Sequence, residues 1–384
     1  MTPLTDRDIE AILGRPVCRL LTAADRRAFA GRRVLITGAG GSIGSELARQ
    51  VAACAPARLT LIDHAELNLF QIEQELARVA PAVPLDVVLA DVAHTNLEPV
   101  VQAARPDVVY HAAAYKHVTM VERAVCAAAD TNVLGTAAVV DAASRSGARF
   151  VLISSDKASR PHSVMGATKR LSELTVMARA DKAFQPIVVR FGNVLGSSGS
   201  VLQLMRDAIR QGRPVPITDP DATRYFMSAG EAVSLVMKAT LLSRGAETYW
   251  LDMGPPVRIG DIAARVLALE AEAGHPPTPV AVIGLRPGEK LREELTTQGL
   301  RMCRTRHRRI WVARQRAGAG ARVRLTEHQL RRHVTNGDAL GALGALAAAV
   351  PEFLVSETAW AMARSQSLHI EEQGSRPAAA ERAS

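Results

Sequence analysis

The chain has 384 residues, 48% of them hydrophobic, and a formal net charge of +9. That length supports one large or two modest domains with a sizeable core, and no apolar run is expected to cross a bilayer. The opening MTPLTDRDIEAILGRP is charged too early for a signal peptide, and Cys18, Cys54, Cys126 and Cys303 show no metal-site spacing, so a reducing cytoplasm and no bound metal are expected. Eleven arginines and one acid, Glu327, fall within residues 301–332. No nucleic-acid module accompanies them, so they read as a solvated face near an anionic substrate, with no nucleic-acid partner.

In chain order, residues 1–30 read as a polar helical lead-in. A short apolar strand at 33–37 enters a glycine turn and an amphipathic helix over 42–54. Further apolar strands are expected at 59–63, 85–91, 108–114, 150–154 and 186–191, with helical spacing over 67–79 and between the later strands. Strands alternating with helices predict an α/β fold with a doubly wound, mostly parallel sheet over 31–195. Residues 196–364 are richer in turns (GSSGS, TDPDATR, RPGEK) and predict a mainly substrate-binding part, with some strands returning to the sheet. The segment 365–384 is polar and alanine-rich and reads as a disordered tail.

Residues 36–44 read ITGAGGSIG. Gly38, Gly41 and Gly44 follow a strand and open a helix at Ser42 and Ile43. Backbone free of side chains can approach a pyrophosphate there, and the helix N-terminus favours its charge. Asp63 ends the next strand about twenty residues on, where a carboxylate accepts hydrogen bonds from the adenosine ribose and repels a 2′-phosphate, favouring NAD over NADP. Asp91 and Val92, ending the third strand, would border the adenine. Only six of the 47 basic residues are lysine. A chain that uses arginine for generic charge marks its lysines as candidates for work arginine cannot do, such as releasing a proton. Lys116, Lys157, Lys169 and Lys290 all fall in motif segments.

The GxxGxxG spacing resembles the short-chain dehydrogenase/reductase superfamily, and the length resembles its extended branch, which modifies sugar nucleotides. His111 opens HAAAYKH, which resembles the segment under the nicotinamide and brings in Ala112, Ala113 and Ala114. Asn132 sits in TNVLGT as in the extended branch. Arg190 and Asn193 (RFGNV), with Arg286 and Glu289 (RPGEK), resemble nucleotide-sugar contacts. Taken together, TGAGGSIGSE, HAAAYKHV, SSDKA, MGATKR and RPGEK resemble the UDP-N-acetylglucosamine 4,6-dehydratases of the CapD-like polysaccharide-biosynthesis family, over roughly residues 6–315. Many large members carry an N-terminal membrane region that this chain lacks at its start, which implies a soluble cytoplasmic protein with no membrane partner. The resemblance also implies NAD as cofactor, UDP-N-acetylglucosamine as substrate and a homo-oligomer.

The superfamily places Tyr-xxx-Lys on one helix face. Here the pair is Met165 and Lys169, and a thioether cannot serve as a base. Methionine also stands at this place in the long branch of the family, where Asp156 and Lys157 would handle elimination. Lys157 is then the expected base at carbon 5 and Asp156 the acid toward the carbon 6 hydroxyl, with Ser155 and Ser154 hydrogen-bonding the substrate. The resemblance implies hydride moved from carbon 4 to carbon 6 with NAD regenerated. Arg224 and Arg286 suit a diphosphate clamp. Lys116 would position the hexose, with His117 catalytic, orienting or packing. A UDP-sugar epimerase and a non-catalytic NAD-binding protein are the alternatives.

Overall fold

The computed structural model describes residues 4–18, 20–294, 302–314 and 320–374. Six strands form its centre: β1 (Arg33–Thr37), β2 (Arg58–Asp63), β3 (Leu85–Leu89), β4 (Val108–His111), β5 (Arg149–Ser155) and β6 (Ile187–Phe191). They pair in the order 3-2-1-4-5-6, all parallel. The sheet then continues through Glu247–Leu251, parallel to β6, and ends in the antiparallel strands Ile310–Arg314 and Cys303–Arg304. The strands are apolar on both faces because helices cover both faces. Val34, Leu61 and Val189 lie under one helical layer, and Leu35, Val109 and Leu152 under the other.

The order reverses between β1 and β4, so the loops leaving these two strands diverge and open a crevice at the carboxyl edge. The strand expected over 108–114 stops at His111. Its continuation is captured by Asn132: the side chain accepts from Tyr115 N (2.7 Å) and donates to Tyr115 O (3.1 Å). Asn132 lies in a π-helical stretch, Ala129–Gly135, within a long apolar helical run. That run, Val125–Ser146, is long and apolar enough to cross a membrane by length and composition, contrary to the sequence expectation. It is instead a core helix here, with 67% of its most apolar window buried inside the fold.

The lead-in is two capped helices, Asp6–Leu13 and Ala23–Phe29. The first joins a smaller lobe, with Ile12 packing among Leu202, Ile217 and Ile262. The second sends Phe29 into the sheet core. The last three helices, Gly320–Thr335, Ala339–Ala349 and Glu357–Gly374, depart from expectation. They do not build the substrate lobe. They cover the helix Val164–Met177 and the Val125–Ser146 run, with Leu330, Leu343 and Leu346 packed among Val125, Val164 and Leu171. Helix also continues to Gly374, into the segment read as a disordered tail. Residues 375–384 lie outside the described part.

Candidate active site

A cavity of about 570 Å³ opens at the carboxyl edge, lined from one end by the glycine turn and from the other by the smaller lobe. Two glycines of the turn are fixed by packing. A Cβ on Gly38, whose φ is +67°, would lie 2.5 Å from Ala113 N, and one on Gly44 would lie 1.9 Å from Gly38 O. Gly41 is different: a Cβ there would meet only Gly38 O, at 3.3 Å, and Gly41 caps the helix Ser42–Ala52 at the cavity wall. Its missing side chain leaves room for a ligand at a helix N-terminus. Gly40, which the spacing did not single out, is also required, since a Cβ would lie 2.6 Å from Asn68 Cβ.

Asp63 is buried at the end of β2 and braces this turn, accepting from Gly40 N (2.8 Å) and Ala65 N (2.9 Å). Asp91 accepts from Ala93 N (2.8 Å), and Val92 is buried against Gly135. Ser42, Ile43, Ala112 and Ala114 line the cavity; Asp63, Asp91, Val92 and Ala113 are not among its lining residues. His111 is fully buried between Thr37 Oγ1 (2.6 Å from Nδ1) and Thr136 Oγ1 (2.9 Å from Nε2). Thr136 spends its own proton on Asn132 O, so Nε2 of His111 carries the hydrogen and Nδ1 accepts from Thr37. Burial, with Lys169 adding to it, pushes the His111 pKa down to about 3. It is a neutral pin between β4, β1 and the π-helical segment.

The helix Val164–Met177 starts at Ser163, whose side chain accepts from Gly166 N (3.1 Å), while Glu122 accepts from Val164 N (2.7 Å). Gly166 lets this helix approach the loop that carries Lys157, for a Cβ would sit 2.5 Å from Lys157 O. Met165 and Lys169, one turn apart, both face the cavity. Lys169 Nζ donates to Ile153 O (2.7 Å), and burial, partly offset by Glu173, brings its pKa down to about 8.

At the end of β5, Lys157 Nζ lies 3.1 Å from Asp156 Oδ1, 3.3 Å from Asn193 Oδ1 and 3.4 Å from Glu293 Oε1. Burial disfavours its charge, but Asp156 and Glu293 outweigh burial and hold its pKa above the ordinary lysine value. Lys157 is therefore an ammonium in this arrangement, the opposite of the form expected of a base. Asp156 also differs from expectation. It is 2% exposed and is not among the residues lining the cavity; Oδ1 takes Ser155 Oγ (2.9 Å) and Lys157, and Oδ2 is buried with no hydrogen-bond partner among the described residues. Ser154 and Ser155 reach the wall, with Ser154 Oγ donating to Glu173 (2.6 Å).

Of the expected substrate residues, Lys116, His117, Asn193, Arg224, Arg286 and Glu289 line the cavity. Burial lowers the pKa of Lys116, and burial together with Lys116 lowers that of His117. Glu289 closes the RPGE turn by accepting from Arg286 N (3.1 Å). Arg190 is a correction. Only 1% exposed, it pairs with Glu173 (Nε to Oε1 2.6 Å), donates to Ser159 Oγ (3.0 Å) and lies 5.0 Å over the Trp250 ring. A guanidinium so enclosed braces β6 and cannot reach a ligand. The residue sequence reasoning missed is Glu293, whose segment carries no motif beyond RPGEK; only the fold sets it against Lys157 and Arg224 (3.6 Å).

Comparison with known proteins agrees with this architecture. A capsular polysaccharide biosynthesis protein CapD of Staphylococcus aureus is 41% identical over 293 residues, covering 75% of this chain and 49% of the relative, so the chain spans about half the length of that curated relative. A UDP-N-acetylglucosamine 4,6-dehydratase (inverting) of Campylobacter jejuni is 32% identical over 273 residues, 69% of this chain and 77% of the relative. The solved structure of Pen from Bacillus thuringiensis has 28% identity and a TM-score of 0.67 over 76% of this chain and 88% of that one. Residues 34–315, from β1 through the glycine turn and the Asp156–Lys157 loop to the sheet's antiparallel edge, match the polysaccharide biosynthesis protein family, and to that family, on a Rossmann-type fold of the extended dehydrogenase/reductase kind, the chain belongs.

Proposed function

We propose that the chain catalyses the NAD-dependent 4,6-dehydration of UDP-N-acetylglucosamine to a UDP-4-keto-6-deoxy sugar. One observation carries the reading: the Asp156–Lys157 pair sits beside the cavity that the glycine turn also lines, while Met165 occupies the place of the usual phenol. A site that only moved hydride would need a phenol-like base and no second charged pair. Similarity to the Campylobacter dehydratase supports the same reading.

The residues present fit a dinucleotide. Gly41 leaves backbone open at a helix N-terminus, and Asp63 ends the neighbouring strand. Bound NAD would supply the hydride acceptor and donor that a 4,6-dehydration requires. Gly41, Ser42 and Ile43 would hold the pyrophosphate, Lys169 the nicotinamide ribose, and Arg224 and Arg286 the substrate diphosphate. The ammonium of Lys157, at the cavity wall, would offer a proton to a leaving hydroxyl. Mass spectrometry of UDP-N-acetylglucosamine after incubation with protein and NAD is expected to show loss of one water. Deuterium placed at carbon 4 is expected at carbon 6 of the same molecule. An unchanged mass, with label retained at carbon 4, would overturn the reading and favour an epimerase or a non-catalytic protein.

A further inference from the structure

The loop 195–200, reading LGSSGS, crosses from the strand Asn193–Val194 to the helix Val201–Arg210 of the smaller lobe. Both ends are fixed. Leu195 N donates to Met227 O (2.9 Å), and Leu202, just past the loop, is buried in the core of the smaller lobe. Between them Gly196 and Gly199 take left-handed φ values of +72° and +66°, which lets so short a span turn twice. Residues 197–200 line the cavity, yet Ser198 and Gly199 are exposed. The loop is therefore a wall one chain thick, with the cavity on one side and solvent on the other. Its middle is held down at two points. Ser198 N donates to Ser42 Oγ (3.0 Å), in the first turn of the helix that the glycine turn opens. Gly199 lies against the His117 ring, so near that a Cβ there would sit 2.5 Å from Cε1. Ser200 Oγ is buried with no hydrogen-bond partner among the described residues, so the closed arrangement leaves unsatisfied a polar group that opening would wet.

We propose that this loop is a strap that closes over the dinucleotide and governs its exchange, with Ser42 as the latch. The inference rests on the NAD part of the proposed function and not on the dehydration. A hydroxyl offers one proton and two lone pairs. Ser42 Oγ accepts from Ser198 N and keeps its own proton free for a pyrophosphate oxygen at the helix N-terminus. Latch and cofactor thus use different capacities of one group, and each orients it for the other. Once Ser198 N lets go, the strap hangs on its two ends, and the two glycines allow its middle to swing outward. A cofactor that is restored within each turnover has no need to leave. A strap on the cofactor's side of the crevice lets the substrate exchange without it.

The readout is cofactor release, followed by loading the protein with labelled NAD and chasing with unlabelled NAD. Ser198→Pro, which removes the latching N–H, is expected to speed release about tenfold, the factor that one ordinary hydrogen bond corresponds to. Ser198→Ala, which keeps that N–H, is expected to release more slowly than Ser198→Pro. Ser42→Cys combined with Ser198→Cys adds an independent arm, since the two hydroxyl oxygens lie 3.4 Å apart. Oxidised after loading, the double variant is expected to release NAD at least about tenfold more slowly than its reduced form, with recovery on adding dithiothreitol. Neither single cysteine variant is expected to be slowed by the same oxidant. Release from Ser198→Pro at the original rate, equal release from the cross-linked and reduced double variant, or failure of the two cysteines to pair in the loaded protein would each overturn the strap. A protein that binds no NAD would overturn the NAD reading and the strap with it. Strap-dependent release from a protein that removes no water would support the strap and overturn the dehydratase reading alone.

Discussion

At the scale of single residues, the site is built from groups whose partners decide their charge. His111 is neutral because Thr37 and Thr136 use both ring nitrogens in a dry place. Its folded pKa of about 3 lies below the unfolded value of about 6.5. The unfolded chain therefore takes up a proton first as pH falls, and stability is lost from about pH 6.5 down toward 3. His111→Gln, which keeps a donor and an acceptor, is expected to cost about 1–2 kcal/mol at pH 7. It should also flatten the fall in stability between pH 6.5 and 4.5, read from urea midpoints. An unchanged pH slope would remove His111 from the account. Lys157 and Lys169 show the opposite outcomes of burial for one side-chain type: two carboxylates beside Lys157 raise its pKa, whereas burial dominates at Lys169 and lowers it to about 8.

At the scale of elements, the helix Val164–Met177 is clamped from three sides. Glu122 caps its start, Gly166 brings it onto the Lys157 loop, and Glu173 ties it to Ser154 and Arg190. Its outer flank is covered by the last three helices, through apolar packing and the contact of Arg170 with Glu352 (3.3 Å). This cover lies beyond the residues that match the family. Leu346 is fully buried in that layer. Leu346→Ala is expected to cost roughly 2–5 kcal/mol by loss of contact and the cavity left behind. Because the cover backs the helix carrying Met165 and Lys169, amide exchange along Val164–Met177 should rise more than exchange in β1 or β2. Equal rises in both places would show that the cover does not act on this helix.

For the whole molecule, the two lobes meet through Glu231, a fully buried carboxylate at the start of the helix Ala229–Leu242. It accepts from Arg15 of the lead-in (2.8 Å) and from Arg309 beside the sheet's antiparallel edge (3.0 Å). Burial works against its charge, but Arg15, the Ser228 backbone and Arg309 overcome burial and lower its pKa. Arg15 also donates to the carbonyls of Phe226 (3.3 Å), which lines the cavity, and of Met253 (3.4 Å). Arg15→Ala is expected to destabilise by about 1–3 kcal/mol, since Arg309 remains to pair the carboxylate. Thermal unfolding should detect it. A loss under 0.5 kcal/mol would show that the lead-in is not a strut between the lobes.

The sequence alone determined the alternation of strands and helices, the glycine turn, the Met165–Lys169 helix and part of the cavity wall. These are local patterns: a period of apolar residues, a glycine where backbone must pass, two side chains one turn apart. It misplaced what depends on contacts between distant segments. Arg190 reads as a ligand residue because a motif cannot show that Glu173, seventeen positions away, encloses it. Residues 365–374 read as disordered because their composition is polar, yet the helix holding them starts at Glu357 and packs on the Val125 segment, where Gln366 bonds Val125 N (3.1 Å) and Glu122 O (3.0 Å). Glu293 was invisible for the same reason. Its meaning comes from Lys157, 136 residues earlier (293 − 157), and only folding of the smaller lobe onto the sheet's edge brings the two charges to 3.4 Å.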